Sequence, residues 1–211
     1  MRTVPRGMTL FELLVVMSVL AVVGLLAVPA LTRQGQQSAV QTTIQSMSQL
    51  RQAVVSEFRD DMFESLPYPA DPSRLPHPQL KYLYENPDAY LQADPDSIEA
   101  TKQWSYDATT GRGWSGPYVD HGVSVPVRYR VDLPAGFTRD YGEDGDPAPV
   151  DGWGRPIVIQ QPVLSGASHS STSINYARLV SAGPDGVLQT SNADLEPTQT
   201  GDDVVVYLRN R

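Results

Sequence analysis

From Leu13 to Leu31 the chain is apolar at every position except Ser18, Gly24 and Pro29. Drawn as a helix, such a run rises about 28 Å, close to the thickness of a bilayer's hydrocarbon core. The pattern therefore predicts a membrane-spanning helix, and it is long for the apolar core of a secretory signal. The polar segment in front carries Arg2 and Arg6, and only Arg33 stands close behind. That bias, small as it is, keeps the N-terminus cytoplasmic and sends the remainder across. Beyond Leu31 the pattern changes. Val40, Ile44, Met47, Leu50, Ala53, Val54 and Phe58 recur in steps of three and four, with Gln, Ser and Thr between them. This is the stripe of an amphipathic helix laid on a core. A single helix from Thr9 to about Met62 is expected, loosened at Pro29 and Gly35.

After Leu66 the proline-rich stretch 67–95 predicts an irregular connection. A short helix is expected at 96–104, capped by Asp94 or Asp96, and turns around Trp114 and Tyr118 follow. Val125–Val131 alternates with period two, Pro126 marking an edge or a strand start. Further strands are expected at 156–163, 174–181 and 203–208. The whole predicts an α+β chain, with a long N-terminal helix packed on about four antiparallel strands. Its parts are a polar segment at 1–7, a membrane-spanning helix at 8–32, an amphipathic half at 33–62, and a globular domain at 63–211.

The 211 residues carry a formal charge of −8. An acidic chain without a basic face does not predict a nucleic-acid partner. There is no cysteine, which excludes disulfides, thiolate metal sites and a cysteine nucleophile. His77, His121 and His169 have no metal-ligand spacing. No phosphate-binding glycine loop, dinucleotide fingerprint, zinc-protease helix or serine-hydrolase elbow occurs. The acidic stretch Asp140–Asp151 reads as a solvated loop, with a second cation site as the alternative. Nothing in these motifs asks for catalysis, so a non-enzymatic subunit is expected.

Glu12 is the anomaly of the apolar segment. Placed deep in hydrocarbon, a carboxylate costs roughly 2.5–3.5 kcal/mol, so it calls for a partner. Cleavage after Gly7 would free the amine of Met8, four residues away on the same helical face. In a bundle of identical helices Glu12 could equally meet the Met8 amine of a neighbour and fix the helices' register. The segment Gly7-Met8-Thr9-Leu10-Phe11-Glu12 and the apolar run after it resemble the leader of type IV pilins and type II secretion pseudopilins. A signal anchor with an incidental glutamate, or secretory cleavage after Ala30, are the alternatives. Met8 departs from the phenylalanine that is commoner in the family.

Two later segments extend the resemblance. Asp151-Gly152-Trp153-Gly154 looks like the D-x-W-G segment of the G-type, or major, pseudopilin. Ser181-Ala182-Gly183-Pro184-Asp185-Gly186 and Gly201-Asp202-Asp203 look like its S-x-G-x-D-G segment and following aspartate pair. Gly116-Pro117-Tyr118 fits as well, whereas 63–113 are not covered.

The resemblance implies a pilin-like fold and removal of the leader between Gly7 and Met8 by a prepilin peptidase, with methylation of the new Met8 terminus. It also implies self-assembly into a helical filament with minor pseudopilins, on an inner-membrane assembly platform. The globular domain would lie in the periplasm. The family's loop binds calcium, and the implied ligands are Asp185, Asp202 and Asp203, whose hard oxygens suit that ion. The separation of Asp185 from Asp202 is longer than usual, so Asp194 is a further candidate and an ion-free loop is the alternative. Trp153 is expected to anchor the core through its indole N–H, with Gly152 and Gly154 relieving crowding. A pilin of a true type IV pilus shares the N-terminus, and a membrane-anchored binding protein or enzyme is the more distant alternative.

Overall fold

A computed structural model describes residues 9–58, 78–87, 104–119, 123–124, 141, 145–162 and 176–209, without the side chains of 26–31. Of the expected short helix at 96–104 all but Trp104, which is not helical, lies outside the described residues, as does the expected strand at 125–131. So do Gly7, Met8 and the three histidines. Two compact units divide the chain, Met1–Ser38 and Ala39–Arg211.

Helix α1 spans Leu10–Gln52, 43 residues, and passes into a π-helical segment Ala53–Phe58. In the first unit it leaves its large apolar side chains in the open, among them Leu10, Phe11, Leu14, Met17, Leu20, Val22 and Leu25. Such side chains on every side of a helix mark a surface made for apolar surroundings. The expected membrane span is not itself seen. Among the described residues no helix is long and apolar enough to cross a membrane, and the described side chains of the run stop at Leu25.

In the second unit the helical stripe is buried. Met47, Leu50, Ala53, Val54 and Phe58 join one core with Ile157, Ile159, Leu179 and Leu208. The sheet facing them is antiparallel, in the order β3 (Val158–Gln160), β4 (Arg178–Ser181), β5 (Val204–Tyr207). Ile159 pairs with Leu179, and Leu179 with Val206. Because strand side chains alternate, Val158, Val180 and Val205 fall on the opposite face, where Ala148, Tyr141 and Leu188 cover them. A smaller ribbon pairs β1 (Val123–Ser124) with β2 (Pro147–Ala148). The α+β expectation is met by one helix and a three-stranded sheet, and three of the expected strands form, each shorter than its pattern.

The stripe differs from the sequence expectation at one turn. Ile44 is 44% exposed, and Thr43 is fully buried in its place. The Thr43 hydroxyl donates to the Ala39 carbonyl at 2.8 Å and accepts from the Gly152 N–H at 2.9 Å. A polar side chain wins a buried position here because it satisfies a backbone donor arriving from another segment. Gly152 is required at this crossing, since a Cβ there would lie 2.3 Å from the Ala39 carbonyl oxygen.

Around the aromatic turn, Trp114 donates its indole N–H to the Tyr82 carbonyl at 2.9 Å. Tyr118 packs edge-on against Phe58 and Trp114. Trp104 is the tryptophan buried in the core, and Trp114 is half-buried and packs against it. Trp153 is only half-buried and lies outside both core clusters.

Replacing Leu179 with Ala should cost about 2–5 kcal/mol, since both helix and sheet lose a shared contact; chemical denaturation of the full chain in detergent measures it. A second prediction concerns alkaline pH. Burial pushes the Tyr84 phenol up from 10 to about 12. A raised folded pKa stabilises the protonated form. That contribution is complete below the ordinary phenol value and is lost as pH climbs through the raised one. The stability difference between wild type and Tyr84→Phe should therefore decline between pH 10 and 12.

Candidate functional site

The turn 151–155 owes its shape to one carboxylate. Asp151 is 5% exposed. Its Oδ1 accepts the N–H groups of Trp153 and Arg155, both at 2.9 Å. Its Oδ2 accepts the Ser181 hydroxyl at 2.6 Å. An aspartate closing its own turn in this way is the usual Asx arrangement, here extended to strand β4. Asp151 was expected in a solvated acidic loop. It is instead buried, because those three donors replace its water. Asp146 from the same stretch is also engaged, bonding Lys81 Nζ at 3.2 Å.

Ser181 hands the connection on. Its hydroxyl accepts the Gly183 N–H at 3.3 Å, and the Gly183 carbonyl accepts a short bond from the Arg155 guanidinium. Gly183, at φ 58°, lies so close to the next segment that a Cβ would sit 2.3 Å from the Asp202 carbonyl oxygen. Turn 151–155, loop 181–186 and the Gly201–Asp203 segment, separated in sequence, thus meet in one place.

Within that meeting point the aspartates are wired by the backbone. Asp202 Oδ2 accepts the Asp185 N–H at 3.2 Å. Asp203 Oδ2 accepts the N–H groups of Gln189 and Thr190 at 2.9 and 2.7 Å. Asp185 accepts the Val187 N–H at 2.8 Å and the Gln189 side-chain amide at 2.7 Å. The carbonyl end of that amide accepts the Asp202 N–H at 3.0 Å. Gln189 therefore bridges Asp185 and Asp202.

Two carboxylate oxygens and the Thr190 hydroxyl are left over. Asp202 Oδ1 and Asp203 Oδ1 are buried and, among the described residues, have no hydrogen-bond partner. Burial also pushes the Asp203 carboxyl above the ordinary carboxylate value, against the hydrogen bonds from Thr190 and Gln189 that lower it. Buried, unsatisfied carboxylate oxygens in a loop rich in carbonyls fit a hard cation. No described group of three or more His, Asp or Glu side chains is gathered as a metal cluster. Backbone or amide oxygens would have to complete any coordination shell. Asp194, the further candidate, is exposed and enters none of the bonds among Asp185, Asp202 and Asp203. Its carbonyl accepts from Arg178 instead.

Arg178 carried no expectation from the sequence. It lies on β4, is fully buried, and donates to Gln160 Oε1 and to the carbonyls of Ser191, Asp194 and Leu195. Burial lowers its pKa, while Tyr207, Tyr141 and Asp194 favour its charge.

At the other end of the chain, Glu12 has a local partner. Its Oε2 accepts both the backbone N–H and the hydroxyl of Thr9, at 2.9 and 3.0 Å, while the Glu12 N–H donates to Thr9 Oγ1 at 3.3 Å. This reciprocal capping box opens α1. The T-x-x-E spacing announces it in the sequence, where Glu12 was read only as a charge in search of an amine.

Comparison with family models, curated proteins and solved structures returned no match.

Truncating Asp151 to Ala leaves three donors unsatisfied in a buried turn. The expected loss is on the order of 3 kcal/mol, read as a lower denaturation midpoint of the full chain. A loss under about 0.5 kcal/mol, the level of a plain surface substitution, would show that this carboxylate does not organise the site.

Proposed function

We propose that this chain is a structural filament subunit, a pseudopilin of a type II protein secretion system. The observation that carries the reading is helix α1: one helix exposes its apolar residues at 10–25 and buries a polar-flanked stripe against the sheet from residue 43 onward. A helix of that composition is suited to hold the subunit in a membrane and later to pack against its own copies. The pilin-like resemblance of Gly7–Glu12 supports the same conclusion, and the convergence of the D-x-W-G, S-x-G-x-D-G and aspartate-pair segments is in keeping with the G-type subunit.

In this reading a prepilin peptidase removes residues 1–7 and Met8 becomes the methylated N-terminus. The subunit waits in the inner membrane with its domain in the periplasm. It then joins a helical pseudopilus with minor pseudopilins on an inner-membrane platform. The growing filament drives folded proteins outward, and the chain itself catalyses nothing. Glu12 leaves its local cap or shares it, and pairs with the Met8 amine of a neighbouring copy. A misregistered helix would leave that charge unpaired in apolar surroundings. Asp185, Asp202 and Asp203 would hold calcium, an ion that supplies the positive charge the two leftover carboxylate oxygens lack.

Glu12→Gln separates the two roles of this side chain. Glutamine at this position still completes a capping box, but it offers no charge to an amine. The substitution should abolish filament formation in cells while leaving helix content and membrane insertion unchanged. Normal filaments from the variant would reduce Glu12 to a helix cap. For calcium, the melting temperature of the full chain in detergent should rise with the ion and fall in chelator. Equal values would remove calcium from the account without touching the filament.

A further inference from the structure

The segment 187–203 contains no helix or strand, so something other than a backbone ladder must give it shape. Arg178 supplies it. One planar guanidinium presents five donors in a fixed fork, and here that fork spans a whole turn of chain. Nη1 donates to the Leu195 carbonyl at 3.1 Å, and Nη2 to those of Ser191 at 2.5 Å and Asp194 at 2.9 Å. Nε is fixed from behind by Gln160 Oε1 at 3.0 Å. Gln160 is itself fully buried and donates its amide to Tyr141 Oη and to the Thr190 carbonyl. The guanidinium is thus carried by β4 and aimed by Gln160 of β3. These four bonds of Arg178 end on neutral oxygens, three of them carbonyls converging from one loop. That is the ligand arrangement a bound cation would gather.

We infer that Arg178 is the resident cation of this loop: it holds 187–203 closed whether or not a metal ion is bound. The loop therefore enters any ion-binding step already folded. Metal can only complete the oxygens of Asp202 and Asp203 and does not assemble the loop. The inference rests on the calcium reading solely for this contrast, and the two fail separately.

The test uses the full chain in detergent, with chymotrypsin, a protease that needs no metal for catalysis, and mass detection of the cut after Leu195, whose carbonyl Arg178 holds. Cleavage of a closed loop follows the population of its open form. Wild type should be cut equally slowly in calcium and in chelator. Arg178→Gln should be cut at least about tenfold faster in both, the factor expected when a charge-assisted bond to the loop is lost. Amide exchange at Val180 and Val205 establishes that the sheet of the variant is folded. Two results overturn the inference. One is a wild-type loop that opens about tenfold faster in chelator, which would make metal the organiser. The other is a folded Arg178→Gln chain that resists cleavage as wild type does. Because the wild-type comparison needs no substitution, a variant that fails to fold leaves the test standing. Absence of calcium binding altogether would sink the metal reading and leave Arg178 in its role.

Discussion

Burial of one helical stripe against one face of a three-stranded sheet is the constraint on which the globular unit depends. Met47, Leu50, Val54 and Phe58 share one dry core with Ile159, Leu179 and Leu208, closed by Leu80, Tyr82, Leu83 and Trp104. At about 25 cal/mol per Å² of apolar surface removed from water, this interface is the main favourable term of the unit. It also fixes which way the strands face. Once Ile159 and Leu179 turn toward the helix, Val158 and Val180 must turn toward the second cluster. The apolar residues at 10–25 are exempt from this arrangement and remain exposed.

The sheet in turn is the platform from which polar residues shape the loops. Ser181 on β4 receives nothing from the core; it takes the place of water at the Asp151 carboxylate. Arg178, three residues earlier on the same strand, gathers the carbonyls of the long loop. Both are fully buried, so each must be saturated with hydrogen bonds to be tolerated there. The backbone around the aspartates is satisfied by side chains of the chain itself. Among the described residues the unmet demand at this site is one oxygen each on Asp202 and Asp203 and the hydroxyl of Thr190.

Much of this was readable in the sequence, for reasons that differ by element. The amphipathic helix follows from a period of 3.6, and strands β3, β4 and β5 fall within the runs 156–163, 174–181 and 203–208 expected from the sequence. The capping box at Thr9 and Glu12 was equally readable, but the charge of Glu12 in an apolar run drew attention from its spacing. Thr43 and Asp151 were not readable, because their burial depends on donors that arrive from far along the chain: Gly152 for the one, Ser181 for the other. Arg178 looks like an outward-facing polar residue of a strand until its loop is folded over it. The meeting of the turn 151–155 with 181–186 and 201–203 was visible only as three separate likenesses to one family. Their contact is a property of the tertiary structure.

If the apolar helix becomes a filament helix by losing its polar leader, as we propose, the mass of the chain purified from membranes will show it. The claim predicts a polypeptide that begins at Met8, with one added methyl group on its amine and Glu12 four residues away. A mature, working protein that still carries residues 1–7 would contradict it.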